Sequence, residues 1–414
     1  MYSIGDYGDM IADKVRMDPY VYALKAVIET DSVVLDIGTG AGMHALLACK
    51  FGARKVYAVE PNDAIHLARE LAKENGFADR IEFFQDVSTH VTLPEKADVI
   101  VSDLRGVLPL YGGHIPAIID ARERHLAPDG VLIPKRDTIW ASLVETSKVY
   151  NELIEPWNKP YGMSMKKAKQ IVLNDWIEEN TDTFRENNLL MEPRIWTVLD
   201  YTSIDNPDVS PAPLIQSATR DGTAHGLLLW FDGEIAEGIR VFNGPGAEKV
   251  AKVYGCGFFP LLEPISIGKG DTIILNVHAN LVEDQYQWRW HTRIQSGEDP
   301  QAIKADFKQS TDLDKTMESA RLHERILNFR PARNKAGEID HFILGEMDGR
   351  QTIDQIARGA QSKYPLRFKT QREAQLYVND LSQDYGHESS RFKVLEPKER
   401  QDSKIPEVRS GLRK

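Results

Sequence analysis

The stretch VVLDIGTGAGMHALLACKFG, residues 33–52, decides the fold of this 414-residue chain. The apolar run VVLDI reads as a short buried strand. Gly38, Gly40 and Gly42 then alternate, and the apolar spacing becomes helical until Gly52. Glycine lets a backbone turn sharply and approach a ligand where any Cβ would collide. At the carboxyl end of a strand, such a turn is where open α/β sheets bind their cofactors. A dinucleotide fingerprint needs glycine at 43; Met43 stands there, so the spacing disfavours a nicotinamide cofactor. The next strand, KVYAVE, ends in Glu60, placed to accept hydrogen bonds from two ribose hydroxyls. Asp86, at the end of IEFFQD, could accept from an adenine amino group. A structural tight turn with a surface glutamate is the competing reading. Strand, alternating glycines, helix and strand-end acid together argue against it.

Working outward, AIHLARELAKENG reads as a helix with Gly76 past its end. IEFFQ and ADVIVSD follow as strands, HIPAIIDARERHL as a helix and GVLIP as a strand. Strand–helix alternation with short connections predicts a mostly parallel sheet with helices on both faces. Residues 1–30 carry apolar residues near helical spacing and read as helix, break, helix, with Pro19 marking the break. After about residue 140, segments such as IWTVLDYTS, GLLLWFDGEIAEGIRVF and PISIGKGDTIILNVHANL predict an antiparallel sandwich or barrel. In YQWRWHTRI, Tyr286, Trp288 and Trp290 share one strand face and Arg289 and His291 the other. Core packing is the favoured role of the aromatic face, over a substrate-lining wall. Residues 298–337 are polar and linker-like in part. Three short helices follow from about 338. Thr352 with Gln355, and Thr370 with Glu373, fit capping boxes. The last residues are rich in Lys, Arg, Glu and Pro and predict disorder.

The formal charge of −11 argues against a general nucleic-acid or anionic-membrane binder, because both need a cationic surface. Two cysteines, Cys49 and Cys256, form neither a disulfide framework nor a zinc set; they fit a reducing cytosol, and no metal is expected. No apolar run approaches about 18 residues, and MYSIGDYGDM lacks a signal-peptide core, so a cytoplasmic protein is expected.

VVLDIGTGAG with VYAVE resembles the cofactor motifs of class I S-adenosylmethionine methyltransferases. Over roughly residues 1–295 the chain resembles the protein arginine methyltransferase family. DYGDMIADKVRMDPY (6–20) is similar to that family's N-terminal helix, with Tyr7, Met10, Asp13 and Arg16 on one side. The resemblance implies that Arg16 holds the methionine carboxylate, as a guanidinium can with two parallel hydrogen bonds, and that Met10 packs near the sulfonium. Tyr7, Asp36, Gly38, Gly40, Gly42, Glu60, Asp86 and Val87 complete the implied S-adenosylmethionine site. WNKPYGMSM (157–165) is similar to the family's dimerisation arm and implies a homodimer.

The acceptor loop, VSDLRGVLPLYGGHI (101–115), departs from the family pattern. Of two glutamates that flank the acceptor in the family, the first falls on Asp103 and the second on Gly112. A Thr-His-Trp element falls on Lys252, Val253 and Tyr254, which would leave Asp13 without its usual partner. A single carboxylate suits arginine less and an amine, imidazole or other nucleophile more, and could serve as base or charge partner. Asp103 and His114 are the catalytic candidates, with Tyr111 the loop's other polar group. For His114 a capping or surface role is the favoured reading over facing the acceptor. Arg105 could bind an acidic acceptor or pair with Asp103. The segment ILGEMDGRQTIDQIARGAQSKYP resembles small winged-helix domains of the PqqD-like kind; a helical packing appendage is the alternative.

The expected organisation is an α/β chain. Cofactor-covering helices (1–30) precede a Rossmann-like domain (31–145). A dimerisation-arm-like segment (146–190), a β-barrel or sandwich substrate domain (191–300), a small winged-helix-like unit (338–385) and a disordered tail (386–414) follow. The expected activity is S-adenosylmethionine-dependent methyl transfer to a nitrogen of a protein or peptide. The alternatives are a peptide-tailoring methyltransferase guided by its C-terminal unit, and a catalytically inert cofactor-binding partner subunit.

Overall fold

The computed structural model describes residues 3–299, 301–313 and 329–386. The tail expected to be disordered lies outside the described residues from 387 onward. The chain divides into two compact units, Met1–Thr316 and Met317–Lys414. Among the described residues no helix is long and apolar enough to cross a membrane.

In the first unit, every residue of β1 (Val33–Ile37) is buried, as expected of a strand covered on both faces. Each of its apolar side chains contributes roughly 1.5–3 kcal/mol by leaving water. β2 (Lys55–Val59), β3 (Ile81–Phe84), β4 (Ala97–Ser102) and β5 (Leu126–Ile133) join it in the order β3-β2-β1-β4-β5, all neighbours parallel. Helices α3 (Met43–Phe51), α4 (Ala64–Glu74) and α5 (His114–Arg124) supply the connections. The strand order reverses between β1 and β4, which opens a crevice at their carboxyl ends. There Ile37 is in register with Ser102, so the glycine turn and Asp103 leave the sheet side by side.

Two helices precede the sheet, α1 (Ile4–Ala12) and α2 (Lys14–Val27). The break falls at Asp13, not at Pro19, which lies inside α2. Proline removes one helical hydrogen bond, and the buried face of Met17, Tyr20, Ala23 and Leu24 holds α2 across it. Asp13 ends the first helix because its carboxylate is engaged twice. It accepts from Arg16 N at 3.3 Å to cap α2 and from Lys252 N at 2.5 Å and Val253 N at 3.4 Å. Asp13 therefore does not lack a partner: backbone amides replace the absent histidine.

The β-rich region is a sandwich of two open sheets, not a closed barrel. The larger sheet comprises β6 (Arg136–Val144), β7 (Ile177–Glu179), β8 (Arg194–Asp200), β10 (Gly222–Ala236), β11 (Ile239–Phe242) and β12 (Cys256–Ile267). Its order is β7-β12-β10-β6-β8, with β11 on β10. The smaller contains β9 (Leu214–Ser217), β13 (Thr272–Val282), β14 (Gln285–Gln295) and β15 (Ile303–Ser310), in the order β15-β14-β13-β9. The sandwich is also longer than residues 191–300. It begins with β6, directly after β5, and ends with β15 in the polar stretch expected to be linker. β15 reads as polar because it is an edge strand: Ala305 and Gln309 turn inward while Lys304, Asp306 and Lys308 face solvent. Phe259 and Trp196 meet Trp288 between the sheets, with ring centroids 5.1 Å and 5.6 Å apart, so the aromatic run of β14 is core.

Between β6 and β8 lie α6 (Ser147–Ile154) and α7 (Lys166–Val172), and the segment joining them exposes Tyr161 and Met163. The second unit contains helices Lys335–Glu346, Ile353–Lys363 and Gln371–Tyr385 around Ile343, Ala357, Phe368 and Val378. Thr352 and Gln355 form the reciprocal capping box. At the last helix only half of it forms: Thr370 accepts from Glu373 N, while the Glu373 carboxylate takes Lys369 N. A winged helix requires a strand wing. The described residues of this unit contain no strand, so the PqqD-like resemblance finds no support in them.

Candidate active site

The turn after β1 is built by its own backbone. Gly38 N and Thr39 N both donate to Val59 O, at 2.9 Å and 3.0 Å. Beneath it, Asp36 accepts from Thr39 Oγ1 at 2.5 Å and from Ala45 N at 3.0 Å, tying the turn to the start of α3. Burial pushes the Asp36 carboxyl up to about 7. Gly40 N donates to Glu60 Oε2 at 2.9 Å, and Glu60 Oε1 accepts from Asn62 N and Nδ2. Gly40 has φ +53°, and a Cβ there would stand 2.6 Å from the Tyr7 ring, so any other residue would strain the turn and displace Tyr7. Gly42 has a different task. It begins α3 at φ +88° against Ala68 of α4, where a Cβ would stand at 2.9 Å.

Tyr7, Met10, Arg16, Gly38, Gly40 and Glu60 line one cavity, with His44 deep within it. Asp36 and Gly42 support this cavity from behind and do not line it. Asp86 belongs to neither cavity of the crevice. Its exposed carboxylate accepts from Val87 N at 2.7 Å and meets His90 Nδ1 at 3.1 Å. Val87 lines a second cavity, which shares Gly38, Asp103 and Leu104 with the first.

Asp103 stands where the two cavities meet, and its charge is heavily engaged. Arg16 Nε donates to it at 2.6 Å, Arg105 Nε at 3.1 Å, and the Tyr254 hydroxyl reaches its oxygens at 2.7 Å and 2.8 Å. Burial opposes its ionisation, but Arg16, Arg105 and Tyr254 outweigh it and hold the carboxyl well below the usual carboxylate range. Arg105 is fully buried. It donates onward to Asp137 Oδ1 of β6 at 2.9 Å and to the hydroxyls of Tyr20 at 3.0 Å and Tyr254 at 2.6 Å. Its guanidinium also faces the Phe231 ring of β10, 5.1 Å from the centroid. Arg105 therefore pairs with Asp103 and locks the N-terminal helices, the parallel sheet and the sandwich together. It is not presented to an acidic acceptor.

The network continues to the second cavity. Asp137 Oδ2 accepts from the Tyr201 hydroxyl at 2.6 Å, and that oxygen lies 3.0 Å from His114 Nε2. Tyr201 has one proton and gives it to a carboxylate already paired with Arg105. Its oxygen therefore accepts, and His114 carries its proton on Nε2. Burial, and then the Arg105 charge, push the imidazole down to about 3, so it is neutral. Its Nδ1 is left as a buried lone pair with no protein partner. His114 thus lies neither on the surface nor in a side-chain cap: it lines the second cavity with Tyr111, Gly112, Glu283 and Asp284.

Sequence reasoning missed Tyr20, Asp137, Tyr201 and the function of Tyr254. One signal was available for Asp137: a carboxylate inside the apolar alternation of a strand is costly to bury without a partner. Tyr254 sits in the segment read only for its missing histidine.

Two family models match adjoining parts of the chain: Ribosomal protein L11 methyltransferase over residues 20–135, and the arginine methyltransferase oligomerization subdomain over residues 135–293. Protein arginine N-methyltransferase 1 of Schizosaccharomyces pombe is 32% identical over 248 residues, covering 58% of this chain and 72% of that protein. Protein arginine N-methyltransferase 1.1 of Arabidopsis thaliana is 32% identical over 233 residues, covering 55% of this chain. The match spans 59% of the length of that relative, and another spans 45% of protein arginine N-methyltransferase 2 of Dictyostelium discoideum. Among solved structures, Arabidopsis thaliana protein arginine methyltransferase 10 in an open conformation superposes with TM-score 0.64 at 24% identity. That match covers 74% of this chain and 97% of the other. The Trypanosoma brucei PRMT1 enzyme–prozyme complex with AdoHcy gives 0.65 at 20% identity, with coverages of 74% and 98%.

Proposed function

Because the chain belongs to the protein arginine N-methyltransferase family, we propose that it is an S-adenosylmethionine-dependent methyltransferase acting on a nitrogen of a protein or peptide. The observation that carries this reading is the cradle at Gly40, which a Cβ would fill, beside the buried Glu60 carboxylate and the Arg16 guanidinium in one cavity. Arg16 would hold the methionine carboxylate and Glu60 the ribose hydroxyls. Met10 and Tyr7 would cover the cofactor, and Val87 would receive the adenine. Asp86, turned to His90, would need to turn back to reach it. When bound, S-adenosylmethionine supplies a methyl group on a positively charged sulfur.

The chain's own contribution is positional, because holding two reactants in line supplies much of such a rate. Asp103 fixes Arg16 through a hydrogen-bonded ion pair. His114, neutral and buried at the wall of the second cavity, holds Tyr201 through Nε2 and so ties that wall to Asp137 and Arg105. Incubation with methyl-labelled cofactor and a cell lysate tests the reading. Label transferred to a protein supports it. Calorimetric cofactor binding without transfer points to the inert partner-subunit reading, and no binding overturns both.

A homodimer built through the arm is part of the same proposal, supported by the exposed Tyr161 and Met163. Sedimentation of wild type and of a Tyr161→Ser/Met163→Ser variant tests it: a monomeric wild type rejects the dimer. A cytoplasmic location fits the two free, buried thiols, Cys49 and Cys256.

A further inference from the structure

Among the described residues, Asp103 is the only carboxylate that lines both cavities. Its side chain is 5% exposed, and both of its oxygens are taken. Oδ2 accepts from Arg16 Nε at 2.6 Å and Oδ1 from Arg105 Nε at 3.1 Å, and the Tyr254 hydroxyl spans the two. Arg105 pairs in turn with Asp137. Two guanidinium cations thus balance two carboxylates, and this buried cluster carries no net charge. A second observation concerns the walls. Apolar side chains of Ile37, Val59, Leu104, Pro116, Ala117 and Leu281 line the second cavity. Its other carboxylates, Glu283 and Asp284, are exposed on the β13–β14 turn, where water and salt screen them.

These two facts bear on what can be methylated. The cofactor brings a positive sulfur. A cationic acceptor would add a second positive charge beside a cluster with no net negative charge to offset it. It would also have to shed a proton before its nitrogen could react, and ammonium and guanidinium groups hold that proton to about pH 10.4 and above 12. Asp103 is a poor base for the task. Burial opposes its ionisation, but Arg16 and Arg105 outweigh it and hold the carboxyl well below the usual range. An imidazole escapes both difficulties. Its ordinary value is about 6.5, so at neutral pH the ring is uncharged and one nitrogen already offers a lone pair.

We propose that the acceptor is the neutral imidazole of a histidine in a protein or peptide, held between the apolar walls of the second cavity and reacting through its unprotonated nitrogen. This rests on the methyltransferase reading above. The ring nitrogen forms the bond to the methyl carbon as the sulfur–methyl bond breaks, and the sulfur keeps that electron pair. The methylated ring is then a cation, and it gives its remaining N–H proton to water. No protein base takes part, which matches a site whose carboxylate is engaged by cations.

The test hydrolyses the protein labelled when the full chain meets methyl-labelled cofactor and a cell lysate, and separates the methylated amino acids. Label above that of lysate without the chain should be mostly methylhistidine. Label mostly in methylarginine or methyllysine overturns the proposal and leaves the methyltransferase reading standing. No added label overturns both. A peptide containing the labelled histidine then supplies a pH profile. Its methylation rate should rise about tenfold from about pH 5.5 to 7.5, as the acceptor ring loses its proton, and level off above that. A further rise of about tenfold by about pH 8.5 would mean that the acceptor first sheds a proton held far more tightly, and also overturns the proposal.

Discussion

Arg16 of α2 and Asp103 of the loop after β4 are 87 residues apart in sequence and meet at 2.6 Å, almost out of contact with solvent. The pair joins the residue expected to hold the cofactor to the residue expected to face the acceptor, so neither side chain can be altered alone. Removing one partner of a buried ion pair leaves an uncompensated charge and costs about 3–5 kcal/mol. Asp103→Ala should therefore lose methyl transfer and also unfold at lower urea. A variant that keeps both wild-type stability and full turnover would show that the pair matters to neither.

Tyr254 gives its proton to Asp103 and accepts from Arg105. Tyr254→Phe keeps the ring against Phe231, where the centroids are 5.1 Å apart, and deletes only the hydroxyl. The cost should be about 1–3 kcal/mol, the penalty for unsatisfied buried groups. Thermal melting measures it, and an unchanged melting temperature would contradict the network.

Gly40→Ala asks a backbone at φ +53° to carry a Cβ that touches Tyr7. A left-handed conformation costs an ordinary residue about 1–2 kcal/mol, and the clash adds to it. Cofactor affinity should fall more than about tenfold by calorimetry, since 1.4 kcal/mol is one decade. Adding Tyr7→Ala should relieve the clash and not the backbone strain. Full recovery in the double variant would show that strain at Gly40 is unimportant.

Three buried groups set a pH dependence with opposing signs. Burial, then Arg16, push His44 down to about 4, and burial, then Arg105, push His114 down to about 3. Unfolded histidine titrates near 6.5. Their stabilisation is complete above that value and is lost as pH falls toward the folded values, because the unfolded chain takes up two protons that the fold refuses. Asp36 works the other way. Its folded value is about 7 against an ordinary value of 3.8, so its contribution is present below pH 4 and lost as pH rises through 7. Between about pH 4 and 6.5 the three together leave one net proton, a slope near 1.4 kcal/mol per pH unit with stability rising toward neutral pH. Asp36→Asn should roughly double that share of the slope, and His44→Gln should cancel it. Urea titrations at pH 5.0, 5.5 and 6.0, chosen within about that window, compare each variant with wild type. Parallel profiles would reject the assignment.

The glycine turn, the parallel sheet and the three terminal helices were legible because their signals are local: periodicity, a capping residue, a glycine after a strand. The errors share a cause. The helix break at Asp13 depends on amides of Lys252 and Val253, and the engagement of Asp103 depends on Tyr254, 151 residues away. Periodicity carries no information about such pairs. β15 stayed hidden because one of its faces is solvated, which makes an edge strand look like linker. For Asp86, position at a strand end placed the backbone correctly and left the side-chain direction undetermined.

The grip of Asp13 on Lys252, across 239 residues, also sets an order of events during synthesis. A chain leaving the ribosome has its glycine turn, its parallel sheet and the Arg16–Asp103 pair before residue 252 exists, and Asp13 lacks the two amides that fix the junction of α1 and α2. At about 5–20 residues per second this interval lasts on the order of ten seconds. Throughout it the Arg16–Asp103 pair lacks Tyr254. The last wall of the cavity, Val253 and Tyr254, thus arrives with the sandwich, long after the glycine turn and Glu60 are in place.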